Sequence, residues 1–460
     1  MNLTKVSVRL IITAVSIFMI SCAPSMKYVK KFDKITSDLK TENYAAAAKK
    51  IDQARKKKFY QKRDRVLFYL DKGIVLYYQG LHKESNLLLE KAERSMEELF
   101  TKSIANIAKS YLLNDTQLDY HGEVYENLYV NIFKALNYIN LNKPDAALVE
   151  VRRINNKLRE LEDKYGDMAR QMNKNKKAPR VDAKSSKFYN DALAQYLGYI
   201  IYRMQDEEDE SLISYNKIKS AWETQPNIYY FKMPEALKKF KSKRKSYLNV
   251  FAFTGSAPRK VPVGGKITTY KDYIGISDLS QPIALPNVPF PGMKKGYHFK
   301  FEFPVIKRGG SRIGRIEVYA DGRRLGELQL LEDMGKVAVE TFEARKNMIY
   351  IKTLFRTVTK GLVAAEAKKK LRKETGANAL FGALMDAAVD AGVDATEKAD
   401  LRCWRTMPEN CLVGEFRLDP GMHDIQVKFF SPDGILIREK NFSNFKIKKT
   451  LNVLDVFSLN

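Results

Sequence analysis

The sequence predicts an α+β protein: a helical repeat half, then a β-rich, sandwich-like half interrupted by a helical hairpin. Three observations carry this. From Tyr28 to Lys239 apolar residues recur at spacings of three and four, Gly and Pro are sparse, and Ala, Leu, Lys and Glu dominate. After Ser246 short alternating runs separated by Gly, Pro and Asp-Gly take over. Within that second half, over about 337–398, the helical period returns. A chain of 460 residues is long for one domain, so the change of texture divides it into 28–245 and 246–460.

The first element is not part of the fold. Lys5 and Arg9 precede an uncharged stretch from Leu10 to Ile20, which ends in Ile20-Ser21-Cys22-Ala23-Pro24. That is the layout of an export signal over 1–21, too short to span a bilayer. A cysteine after a small residue at this place resembles the lipobox of bacterial lipoproteins. The resemblance implies acylation of Cys22, with 22–27 as a short tether to a membrane. Ala23, rather than an acidic residue, then implies an outer-membrane lipoprotein facing the periplasm.

In the helical half the clearest unit runs Tyr69-Leu70-Asp71-Lys72-Gly73, Leu76-Tyr77-Tyr78-Gln79-Gly80, His82-Lys83-Glu84-Ser85, Leu89 and Ala92. It resembles a tetratricopeptide repeat, with Gly73 where two helices cross and Gly80 at the turn between them. Weaker copies fit around Ala47, Ala147 and Ser211. The equivalent positions Ala47, Ser85, Ala147 and Ser211 lie 38, 62 and 64 residues apart, against about 34 in a regular array, so the units are irregular. Asn173–Arg180 and Gln205–Glu210 read as solvated connections.

In the β half, Tyr247–Phe253, Tyr297–Ile306, Arg315–Ala320, Arg324–Leu330, Phe416–Leu418, Asp424–Phe430 and Ile435–Asn441 read as strands. Asp321-Gly322 and Asp433-Gly434 are hairpin turns, because both residue types accept positive φ. The proline-rich Ala284–Pro291 is too rigid for a central strand. In the insertion, Ile351, Leu354, Phe355, Val358 and Leu362 share one helix face. Arg345, Lys352, Arg356 and Lys360 share the opposite one, a solvated stripe able to bind anionic glycan or lipid. A second arm after Gly376 would close an antiparallel hairpin.

Composition limits the function classes. Lys plus Arg number 80 against 54 Asp plus Glu, a net charge of +26. For an exported protein this points to phospholipid, lipopolysaccharide or wall polymer rather than nucleic acid. The four histidines, His82, His121, His298 and His423, show no metal-ligand spacing, and no zinc-type cysteine pairs occur. Gly264-Gly265-Lys266-Ile267 fails as a phosphate loop, Gly309–Gly314 fails as a dinucleotide fingerprint, and no nucleophile elbow is present. The expectation is a non-enzyme with no catalytic residues, metal or cofactor.

Cys403 and Cys411 are candidates for a disulfide worth about 2–3 kcal/mol in an oxidising compartment; two buried thiols are the alternative. The most distinctive segment is Glu397–Pro408, with Ala399, Asp400, Arg402, Trp404 and Pro408. It resembles an Ala-Asp-x-Arg-x-Trp-x-x-Leu-Pro core of uncharacterised bacterial lipoproteins with a tetratricopeptide-like N-terminal region, Met407 standing for the leucine. The reading is an Asp400–Arg402 ion pair fixing the insertion on the sandwich with Trp404 beneath it, or the same residues lining a groove. Together these imply a lipid-anchored envelope scaffold that binds envelope proteins through its repeats; the alternative is binding of anionic glycan or lipid by its basic surfaces.

Overall fold

A computed structural model describes residues 24–105, 113–175, 178–182, 185–241, 246–280, 288–290, 293–375, 398–449 and 451–460. The export segment, Cys22 and the second arm expected over 376–397 lie outside them. The fold is mixed α+β, with helices first and three mostly antiparallel sheets after. No described helix is long and apolar enough to cross a membrane.

The helices pair as α1 Pro24–Lys40 with α2 Tyr44–Lys56, and α3 Arg65–Tyr78 with α4 His82–Ala105. Next come α5 Val124–Asn140 with α6 Pro144–Asn173, and α7 Ala192–Met204 with α8 Glu208–Thr224. Each pair turns in three residues whose middle member is left-handed: Glu42 (φ 61°), Gly80 (75°), Asn142 (57°) and Asp206 (62°). The third turn residue donates its N–H to a carbonyl five positions back, Asn43 to Asp38 at 2.8 Å, Leu81 to Leu76 at 2.9 Å, Lys143 to Tyr138 at 2.8 Å and Glu207 to Tyr202 at 3.0 Å. This is the helix-ending Schellman geometry, which satisfies carbonyls the helix leaves open. Five residues beyond each left-handed residue sit Ala47, Ser85, Ala147 and Ser211, all at most 1% exposed. Their size lets the paired helices approach. A Cβ at Gly73 would stand 2.8 Å from Leu89 Cδ2, so a larger residue there would force Leu89 of α4 to shift.

The strands are β1 Tyr247–Thr254, β2 Arg259–Tyr270, β3 Tyr273–Ser277, β4 Val288–Pro289, β5 His298–Lys307 and β6 Arg315–Ala320. They continue with β7 Arg323–Glu327, β8 Gln329–Asp333, β9 Asn410–Arg417, β10 Gly421–Phe430, β11 Leu436–Ile447 and β12 Asn452–Ser458. The sheet orders are β12-β1-β9-β8, β11-β10-β6-β7 and β4-β3-β2-β5. The first two form a sandwich: Leu248, Val250 and Ala252 of β1 pack with Val318, Val427 and Phe429 of the facing sheet. The alternate residues Phe251 and Phe253 point the other way, into the core of the helices, where Phe253 meets Phe133 at 5.4 Å and Phe251 meets Tyr196 at 5.5 Å. Both faces of this sheet are thereby covered, and one apolar core runs across residue 245.

The third sheet packs through Phe301 and Phe303 on α9, Met334–Thr375, with Phe303 and Tyr350 stacked at 4.0 Å. The far side of α9 meets α5 and α6. Clamped between two layers, α9 turns the side that carries Arg345 and Arg356 inward, which corrects the expected basic stripe, while Glu343 and Val363 stay exposed. Arg345 and Arg356 are 6% and 2% exposed, and Lys352 and Lys360 are half-buried.

Strand reading erred in two ways. Arg324–Leu330 is not one strand: β7 and β8 belong to different sheets, the chain crossing over at Leu328. β2 was hidden because Pro262, Gly264 and Gly265 interrupt its alternation; β3 and β12 were not foreseen either, and the strand expected at Phe416–Leu418 is the end of β9, which starts at Asn410 and stops at Arg417. The Asp321-Gly322 turn has positive φ at both residues, as its composition requires (51° and 78°). Of the proline-rich segment, Val288–Pro289 forms β4 at a sheet edge, and residues 284–287 and 291 lie outside the described residues.

Candidate functional site

Chemistry-bearing residues concentrate where Lys398–Glu409 threads between the helices and the sandwich. The segment is extended, and its polar groups are met one by one. Lys398 Nζ donates to Glu302 at 2.8 Å. Arg402 closes a fork on Asp400, Nε to Oδ1 at 2.9 Å and an outer nitrogen to Oδ2 at 2.8 Å. It then continues to Asp64 at 2.9 Å and to the carbonyls of Leu118 and Asp115 at 3.1 and 2.7 Å. The expected Asp400–Arg402 pair therefore exists, but it fastens the segment to the helical half rather than to the sandwich.

Trp404 is fully buried and edge-on to Phe133 of α5 at 5.9 Å, again on the helical side. Its backbone N–H donates to Glu126 at 2.6 Å and its indole to Thr406 Oγ1 at 3.0 Å. Thr406 passes the chain on to Asp71 at 2.9 Å, which also accepts from Tyr60 at 2.9 Å. Ala399 and Pro408 are buried at the two ends. Cys403 and Cys411 are not bridged. Cys411 lies in β9 opposite Phe253 and Glu332, whereas Cys403 belongs to the threaded segment. Burial pushes the Cys403 thiol up to about 11.

Beside the joint, a cleft of about 130 Å³ is lined by Tyr120, His121, Glu123, Lys260, Arg345 and Lys352, among others. Glu123 accepts from both Lys260 and Arg345, and Lys352 pairs with Asp115 at 2.5 Å. Burial alone would raise the Glu123 carboxyl, but Arg345 and Lys260 hold it below its ordinary value. His121 is pushed down to about 4 by burial and then by Arg345, so it is neutral at pH 7. These cations are neutralised by the protein's own carboxylates. The arrangement is an internal electrostatic clamp; Arg356 likewise donates inward, to the Leu113 carbonyl at 3.4 Å.

No family model, curated protein or solved structure matches the chain. Among the described residues no group of three or more His, Cys, Asp or Glu is placed to hold a metal ion. His82 contacts Asn137 at 2.8 Å, His298 contacts Thr268 at 3.1 Å, and His423 contacts Asp321 at 2.7 Å.

The residues that sequence reasoning missed are the acids receiving this segment, Asp64, Asp71 and Glu126, and beside them Glu123, which holds Lys260 and Arg345. One signal was present. Glu123 and Glu126 stand three apart at the start of α5 after Gly122, a capping-box spacing, and Glu126 does accept the Glu123 N–H at 2.9 Å.

Asp71 gives this site a pH signature. Burial raises its carboxyl to about 8, against the lowering effect of the Thr406 and Tyr60 hydroxyls. Between roughly pH 4 and 8 the folded chain keeps a proton that the unfolded chain releases, so this group erodes stability as pH rises. Asp71→Asn should gain stability relative to the parent by up to about 1.4 kcal/mol per pH unit across that window. Urea unfolding at pH 5 and pH 8 measures it, and a pH-independent difference would show that Asp71 is already ionised in the fold.

Proposed function

We propose that the chain is a lipid-anchored scaffold of the cell envelope, held on the outer membrane by acyl chains on Cys22 and binding envelope proteins through its helical hairpins. The observation that carries this reading is the fourfold recurrence of one turn, at Glu42, Gly80, Asn142 and Asp206, each followed five residues later by a buried Ala or Ser. It supports a degenerate tetratricopeptide-like array, an architecture that serves partner binding. The likeness of Ala399–Pro408 to the lipoprotein core supports the same reading.

The inner side of the hairpins is taken by the protein's own sheet and by Lys398–Glu409, so partners are met by the outer helices and turns. Binding of anionic glycan or lipid by Arg345, Lys352, Arg356 and Lys360 loses its support, since Arg345 and Lys352 pair with Glu123 and Asp115 and Arg356 is buried.

Cys22→Ser should leave the fold intact and move the protein from the membrane fraction to the soluble one after high-salt washing. Crosslinking in intact envelopes should capture defined proteins with the parent chain and lose them with the variant. Retention of Cys22→Ser in membranes after high-salt washing would refute the acyl anchor. Absence of any reproducible crosslinked protein would refute the scaffold.

A further inference from the structure

The outer end of the third sheet presents an arrangement that the core does not use. Tyr270 and Tyr273 are directly opposite each other across the β2–β3 turn, and their rings are stacked at 4.7 Å and 9°. They remain 41% and 36% exposed. Two large aromatic rings at a hairpin tip leave apolar area in water that polar turn residues would not.

The turn between them is Lys271-Asp272, and the loop Met293-Lys294-Lys295-Gly296-Tyr297 is laced alongside it by backbone hydrogen bonds. The Asp272 N–H donates to the Met293 carbonyl at 3.2 Å, the Gly296 N–H to Thr269 at 3.0 Å, and the Thr269 N–H to Tyr297 at 2.9 Å. Lys271, Lys294 and Lys295 are exposed, and Asp272 is the one acid in these two segments. The tip is therefore a small rigid platform, with amphipathic rings in the middle and lysines at its rim.

We propose that this tip is a bilayer contact, with Tyr270 and Tyr273 seated at headgroup level and Lys271, Lys294 and Lys295 on lipid phosphates. Tyrosine suits that depth because its ring is apolar and its hydroxyl stays hydrated. Each lysine near an anionic surface adds an attraction screened within a Debye length. The chain's net charge of +26 favours approach to such a surface from any side, and the stacked tyrosines select this end. The contact goes beyond the anchor reading and is tested without it.

The test uses the mature chain from residue 22 with Cys22→Ser, without the apolar export segment, and vesicles of phosphatidylcholine, alone or mixed with phosphatidylglycerol. Binding to the mixed vesicles only is expected. Lys271→Glu/Lys294→Glu/Lys295→Glu should lower the partition coefficient by roughly a hundred-fold, and Tyr270→Ala/Tyr273→Ala should also weaken it. The matched control Lys83→Glu/Lys143→Glu/Lys219→Glu, on exposed helix and turn positions, should change it by less than about three-fold. Tyr270→Trp should show a blue shift of emission when vesicles are added. Equal loss with the control triple would reduce the effect to overall charge and overturn the proposal. So would tip variants that bind like the parent, an unshifted Tyr270→Trp emission, or retention on a polyanionic glycan with no binding to vesicles.

Discussion

Trp404→Ala should cost about 3–5 kcal/mol of unfolding free energy, the range for removing a large buried aromatic. The side chain is fully buried against Phe133, and its indole N–H is the first donor in the relay through Thr406 to Asp71. Removing it opens a cavity and leaves the Thr406 hydroxyl without its donor inside the core. Because the lost packing lies between halves, both should be weakened together: Trp222 fluorescence, which reports α8, and amide exchange of β1 should shift to lower urea in step. Trp404→Phe should restore part of the loss by refilling the cavity while leaving the relay broken. A loss under about 1 kcal/mol would mean that the segment rests on the helices without being part of their core.

Glu123→Gln should be nearly as damaging. Its carboxylate is the shared counter-charge of Lys260 and Arg345, each 6% exposed. Removing one partner of a buried ion pair costs about 3–5 kcal/mol, because the remaining charge is stranded. Adding Arg345→Met should therefore recover stability relative to Glu123→Gln alone, and that sign distinguishes stranded charge from lost packing. The clamp also sets the acid limit, together with a second buried group in which Glu93 of α4 accepts from Lys134 at 2.6 Å and Lys157 at 2.7 Å. Burial would raise the Glu93 carboxyl, but Lys157 and Lys134 hold it at about 2, and Glu123 is held low in the same sense. Such groups contribute stability above the unfolded carboxylate pKa and lose it as pH falls through the folded one, so parent stability should drop below about pH 4. Chemical unfolding between pH 3 and pH 7 measures both effects.

The helical hairpins were legible because local rules set them: the apolar period, the turn residue and the small residue five positions on act within one short stretch. Asp321-Gly322 was legible for the same reason. What the sequence hid is long-range. The spacing that put Arg345, Lys352, Arg356 and Lys360 on one face was read correctly, but periodicity does not say whether that face meets water or Glu123 and Asp115. β2 stayed hidden behind Pro262 and two glycines. The Asp400–Arg402 fork could be inferred from neighbouring opposite charges, whereas Asp64, its other acceptor, lies 338 residues away.

The account rests on helices and sandwich being one body fastened by Lys398–Glu409. Native-state hydrogen exchange of the parent protein tests that most directly, through the amides of α5 (Val124–Asn140) and β1 (Tyr247–Thr254). The two elements should open with the same free energy, equal to that of global unfolding, and Trp404→Ala should lower both equally. If β1 exchanged through a separate, lower-energy opening while α5 stayed protected, and Trp404→Ala affected one alone, the shared core would be contradicted.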